Sequence, residues 1–221
     1  MSKMVFSAAD ILLPSSGNYE KWAVVACDQF TSQPEYWERV GKTVGDDHST
    51  FRIILPEAQL SDGHTEEHIS KINATMKDYL EKGVFTEYPD AMIYLERVQS
   101  DGKVRKGLIG KIDLEEYDYS VGSTSFVRAT EGTVLDRIPP RQAVRRDAAV
   151  ELPHVMLLID DDKDTVIGPL KACDNVIYDF DLMEGGGHAK GWLVPDEMKA
   201  NILAALQKLQ EEQPLLFAVG D

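Results

Sequence analysis

Arg128, Glu131, Thr133 and Arg137 fall within the ten residues RATEGTVLDR, the segment of the chain best suited to chemistry. An arginine offers a planar, permanently charged fork that grips phosphate or carboxylate through two parallel hydrogen bonds. A carboxylate between two threonines can act as a general base toward a hydroxyl, or as an oxygen ligand for magnesium. Gly132, beside it, lets a backbone or a substrate come close. The same residue types also make ion pairs around a surface turn, and residue type alone leaves both readings open.

Four other constellations carry a weaker signal. HTEEH, residues 64–68, has the spacing of a zinc-peptidase motif, with His64 and His68 as ligands and Glu67 as base. It falls in the first turn of an expected helix, where acids are favoured by the dipole, so both histidines read as solvated. No metal site is expected. EGGGHAKGW, residues 184–192, reads as a mobile loop, or a lid that closes on a ligand, and lacks the order of a P-loop. DDDKD, residues 160–164, reads as the solvated turn after a buried strand. RIPPRQAVRR gathers four arginines and is the one candidate for a nucleic-acid contact.

These residues need elements to hold them. Pro34 near the start and Gly45 at the end delimit a short helix over SQPEYWERVGKTVG. SDGHTEEHISKINATMKDYLEKGVF predicts an amphipathic helix with Ile69, Ile72, Met76 and Leu80 on one stripe. VPDEMKANILAALQKLQEEQP predicts another, carrying Met198, Ile202, Leu206 and Leu209. AMIYLERVQSDGKVRKGLIGKIDLEEY reads as a hairpin around an Asp-Gly turn. Strands are expected at Trp22 to Cys27, in FRIILPE, HVMLLIDD and ACDNVIYDFDL, and at LLFAV. The mixture of hairpins and helix-to-strand passages gives an α+β (mixed α/β) class: a mixed sheet with hairpins and at least two amphipathic helices packed on it. A weak sub-boundary is placed at residues 113–125.

Bulk composition narrows the function. The 221 residues, 43% hydrophobic and 28% charged, are those of a globular chain that buries a full core. A net charge of -15 opposes binding to a phosphate backbone, so no nucleic-acid partner is expected. No apolar run reaches the length of a membrane span, and no secretory signal is legible. Cys27 and Cys173 are too few and too far apart for a disulfide framework, and a reduced, cytoplasmic location is expected.

With FSAADILLPSSGNYEKWAVVACDQF and HVMLLIDD, the 126–161 stretch resembles a bacterial and archaeal family known as a domain of unknown function, DUF1015, along essentially the whole chain. Many members carry Arg-x-x-Glu-x-Thr, matched here by Arg128, Glu131 and Thr133. Relatives continue a strand like LLFAVGD into an Asp-Gly-(Asn/His)-His element at the head of a helix, and Asp221 is the start of that element here. The resemblance thus implies that residues 1–221 form a single N-terminal domain or domain fragment of a longer protein. Some members are labelled ParB-like, and free-serine kinases of that superfamily hold nucleotide phosphates at a helix N-terminus. By analogy the parent is a nucleotide-dependent phosphotransferase acting on a small hydroxylated metabolite, with magnesium and a nucleotide as cofactors. Glu131 would be the base or magnesium ligand, and Arg128, Thr133, Arg137 and Asp221 would hold anionic groups. This piece alone would be inactive. The alternative is a non-catalytic nucleotide- or metabolite-binding or interaction module. Its partners would be a small-molecule ligand and either a C-terminal half or a second copy.

Overall fold

Alternation and capping explain most of the elements. The computed structural model describes residues 4–16, 18–26, 30, 33–56, 59, 63–130, 132, 135–152, 154–213 and 215–219, with Arg137 and Val219 described in their backbone only. The strands are β1 (Phe6–Ser7), β2 (Ala9–Pro14), β3 (Phe85–Ala91), β4 (Ile93–Val98), β5 (Val104–Ile109), β6 (Lys111–Ile112), β7 (Val127–Ala129), β8 (Leu157–Leu158), β9 (Val176–Asp181), β10 (His188–Leu193) and β11 (Phe217–Val219). The helices are α1 (Tyr19–Trp22), α2 (Pro34–Val44), α3 (Thr65–Glu81), α4 (Ile138–Arg146), α5 (Ile167–Leu170) and α6 (Asp196–Glu212). The class is mixed α/β, with several small, mostly antiparallel sheets.

The largest sheet has the order β5-β4-β10-β9, and a three-stranded sheet has the order β7-β11-β8. Two pairs, β1 with β6 and β2 with β3, stand beside them. The β4–β5 hairpin forms where the Asp-Gly turn puts it: Gly102 takes φ 83° and its N–H donates to the Gln99 carbonyl. Within β7-β11-β8 the β7–β11 pair is parallel, with Phe217 beside Val127 and Val219 beside Ala129.

One core joins the two larger sheets. Met92 and Tyr94 of the β3–β4 region meet Val127, Leu170, Ile202, Leu206 and Phe217 there, all buried. Each such side chain contributes about 1.5–3 kcal/mol of burial. On α6 the stripe holds as expected, with Met198 and Leu209 partly buried at its ends. On α3 the stripe is rotated: Ile72, Met76 and Tyr79 are buried, and Leu80 is 39% exposed. The reason is a second core, where the Tyr79 ring meets Trp22 edge-on at 5.7 Å.

Among the described residues two expected strands are absent and a third is shortened. Asn18 accepts from the Glu20 N–H and turns Tyr19–Trp22 into a helix; the extended residues after it find no sheet. Their polar groups are met by side chains instead, Thr50 Oγ1 for the Val24 N–H and Tyr36 O–H for the Val25 carbonyl. Cys27 lies outside the described residues. In FRIILPE, Ser49 accepts from the Phe51 N–H and sets a 3-10 turn over Thr50–Arg52. HVMLLIDD contributes only the two paired residues of β8, because its neighbour β11 is three residues long. EGGGHAKGW is not a mobile loop over its second half: His188 to Leu193 form an inner strand of the four-stranded sheet. Gly187, at φ 96° against the Val98 carbonyl, makes the tight entry to that strand.

Candidate functional site

The β7 strand carries the first candidate residue. Its register is fixed by the Phe126 carbonyl, which accepts from both Leu216 and Phe217 N–H at 2.9 Å. Val127 is fully buried, so alternation turns Arg128 to the opposite face, where it is half-buried. Arg128 Nη1 donates to the Ser123 carbonyl at 3.1 Å. That segment is itself pinned, with Ser125 Oγ donating to the Glu116 carbonyl and the Asp118 N–H donating to the Val127 carbonyl. The arginine thus spends part of its fork on positioning its own neighbourhood.

Past Ala129 the chain leaves β7, and past Val219 it leaves β11. The strands are parallel and in register, so both departures are at the same end of the three-stranded sheet. β8 runs antiparallel to β11, with Leu157 opposite Val219, so the chain enters β8 at that end too. Arg105 reaches it from the neighbouring sheet, with Nη1 at 3.7 Å from Met156 Sδ. Glu131, Thr133 and Asp221 lie outside the described residues, and of Arg137 only the backbone is described, in the 3-10 turn Leu135–Arg137 that leads into α4. The structure therefore places Arg128 on β7 beside β11, and of the other candidates describes only the Arg137 backbone.

The other motifs resolve into structural roles. His64 Nδ1 stands 3.6 Å from Glu67 Oε2 in a solvated first turn, with both side chains more than two-thirds exposed. In DDDKD, Asp161 accepts from Thr165 N–H, Thr165 O–H and Val166 N–H at 2.7–2.9 Å, capping the turn into α5. Among the described residues no group of three or more histidine, cysteine or acidic side chains is placed to hold a metal ion. In the arginine-rich helix α4, Arg145 pairs with Glu151 at 3.0 Å.

A second constellation lies on the four-stranded sheet, and sequence reading missed it. His188 is held between two carboxylates, Nδ1 to Asp181 and Nε2 to Asp179, each at 2.8 Å. Lys190 pairs with the other Asp179 oxygen at 2.6 Å and lies 5.4 Å from the Trp192 ring centroid. The hydrogen bond to Asp181, followed by that to Asp179, holds the His188 ring above its ordinary value. Lys190 is the main cause that depresses Asp179. On β4, Tyr94 O–H donates to Glu96 at 2.5 Å, and Lys106 of β5 stands 3.6 Å from the same carboxylate. Burial, then the Glu96 bond, pushes the Tyr94 hydroxyl up. The glycines before His188 read as a loop, which hid the strand His188–Leu193 and its pairing with both β4 and β9.

Together these features define a mixed α/β protein whose two larger sheets meet at a shared core. The chain belongs to the family described as a protein of unknown function (DUF1015), whose model matches residues 11–221. No curated protein and no solved structure matches it. Among the described residues no helix is long and apolar enough to cross a membrane.

Proposed function

We propose that the chain forms part of a nucleotide-dependent phosphotransferase site for a small hydroxylated metabolite, located where β7 and β11 leave their sheet. The observation that supports this reading is the parallel register of Val127–Ala129 with Phe217–Val219. It brings the carboxyl ends of β7 and β11, remote in sequence, to one end of the sheet, and ligands in parallel arrangements bind at the carboxyl ends of strands. Glu131 is the base or magnesium ligand. Arg128, Thr133, Arg137 and Asp221 surround the anionic groups. In phosphoryl transfer such positioning and charge neutralisation carry most of the barrier reduction.

A second reading is favoured by one contact. Arg128 already donates to the Ser123 carbonyl, which suits a binding module that orders its loops without doing chemistry. Titration calorimetry with magnesium-ATP tests the shared part of both readings. Saturable binding that is weakened about tenfold in Arg128→Gln supports the site, that being the weight of one charge-assisted hydrogen bond. Absence of binding by the wild-type chain overturns it. In a protein extended past Asp221, Glu131→Gln then separates the two: a binding module keeps its affinity and forms no product with either version, whereas the enzyme loses product formation.

A further inference from the structure

The four-stranded sheet has a second face, and its charges are arranged differently from those around His188. Arg97 of β4 and Arg105 of β5 are directly opposite each other in the antiparallel register. Like charges at that spacing destabilise a sheet. Among the described residues neither guanidinium is in salt-bridge contact with a carboxylate, in a chain whose net charge is -15; Asp101, which pairs with Lys103, is near enough to feel the Arg105 charge. Instead the two guanidinium groups splay apart. Arg97 Nη2 donates to the Gly186 carbonyl at 3.0 Å, and Arg105 leans the other way onto Met156. Arg97 Nε is buried, with no hydrogen-bond partner among the described residues. Gly107, two residues along β5 on the same face, has nothing within 4 Å of where a Cβ would stand. A glycine inside a strand with open space above it marks a place where another group can approach closely.

We propose that Arg97 and Arg105 turn from these contacts to form an oxyanion site that takes a phosphate monoester over Gly107, the open part of their face. Two guanidinium forks supply the bidentate donors that such a group needs. The anion would offset the repulsion between them and satisfy the buried Arg97 N–H. The long-range field of an acidic chain repels anions, so a local pair of unneutralised arginines is the kind of feature that selects one. The site does not require the phosphotransfer reading, although Arg105 touches Met156 next to the end where β7 and β11 depart.

The test uses inorganic phosphate as probe, against chloride at equal ionic strength, with the thermal-unfolding midpoint as readout. Phosphate is expected to raise the midpoint of the wild type and of Lys106→Gln, a change on the opposite face. Arg97→Gln and Arg105→Gln are expected to weaken phosphate about tenfold or more. Arg105 is exposed, so Arg105→Gln provides a variant that folds. Without phosphate it should unfold no lower than the wild type, since it relieves a like-charge pair; a purely structural arginine would lower the midpoint. Equal responses to phosphate in the wild type and both arginine variants would overturn the proposal, as would no phosphate-specific response in the wild type.

Discussion

The two faces of the β5-β4-β10-β9 sheet are built from the same four strands and treat charge in opposite ways. On one face the register sets Asp179, Lys190, Glu96 and Lys106 in a row across all four strands, each beside an opposite sign. Trp192 and Tyr94 form the next row, stacked at 5.2 Å, and lead into the core. On the other face, the row of Phe180, Ala189, Arg97 and Arg105 ends in two adjacent cations with no acid. A neutralised row has done its work once the strands are in register. An unneutralised pair costs stability and so points to a group from outside the chain.

The largest effect is expected where both faces depend on one residue. Gly187→Ala places a Cβ 2.0 Å from the Val98 carbonyl oxygen at a φ of 96°, so clash and strain act together. A loss of about 3 kcal/mol is expected. In a chain of this size that lowers the thermal midpoint by roughly 6–12 °C. A loss below about 1 kcal/mol would mean that the turn into β10 is not the hinge of the comparison.

Tyr94→Phe removes the hydroxyl that binds Glu96 and keeps the ring in the core. Urea unfolding should show a loss of about 1 kcal/mol, as for one buried hydrogen bond. Lys106 still stands 3.6 Å from that carboxylate.

His188 gives the neutral face a pH dependence. Its folded-state value is raised above the ordinary 6.5 by Asp181 and Asp179. Its contribution is therefore fully present below 6.5 and is lost as pH rises through the higher folded value. Stability measured across that window should fall in the wild type more than in His188→Gln. Parallel curves would show that the clamp contributes nothing.

The smallest effect sharpens the contrast. Lys106→Gln should cost about 0.3 kcal/mol, the weight of an exposed pair, whereas Arg105→Gln should cost nothing or stabilise slightly. Equal losses in the two would erase the distinction between the faces.

Much of this arrangement was legible in the sequence. The periodicity and end signals of α2, α3 and α6 survive in the structure, as does the hairpin around Asp-Gly. Its loop spans three residues, 100–102, with Gln99 N–H donating to the Lys103 carbonyl, whereas a two-residue Asp-Gly turn would set Arg97 opposite Lys106; the arginine pair was therefore not legible from the turn. Burial without pairing was not legible: Val24 and Val25 are apolar and extended, yet Thr50 and Tyr36 satisfy them in place of a neighbouring strand. Nor was the role of His188, because the glycines before it read as a loop while the partners of β10 come from residues 93–98 and 176–181. The RATEGTVLDR segment was read by residue type, and of its candidate side chains only Arg128 is among those described.

The most direct test follows the arginine side-chain Nε–Hε resonances in a 15N-labelled chain while inorganic phosphate is added. Arg97 and Arg105 should move and saturate together, while Arg145 on α4 stays in place. Stationary Arg97 and Arg105 resonances, or equal drift at Arg145, would contradict the proposed site.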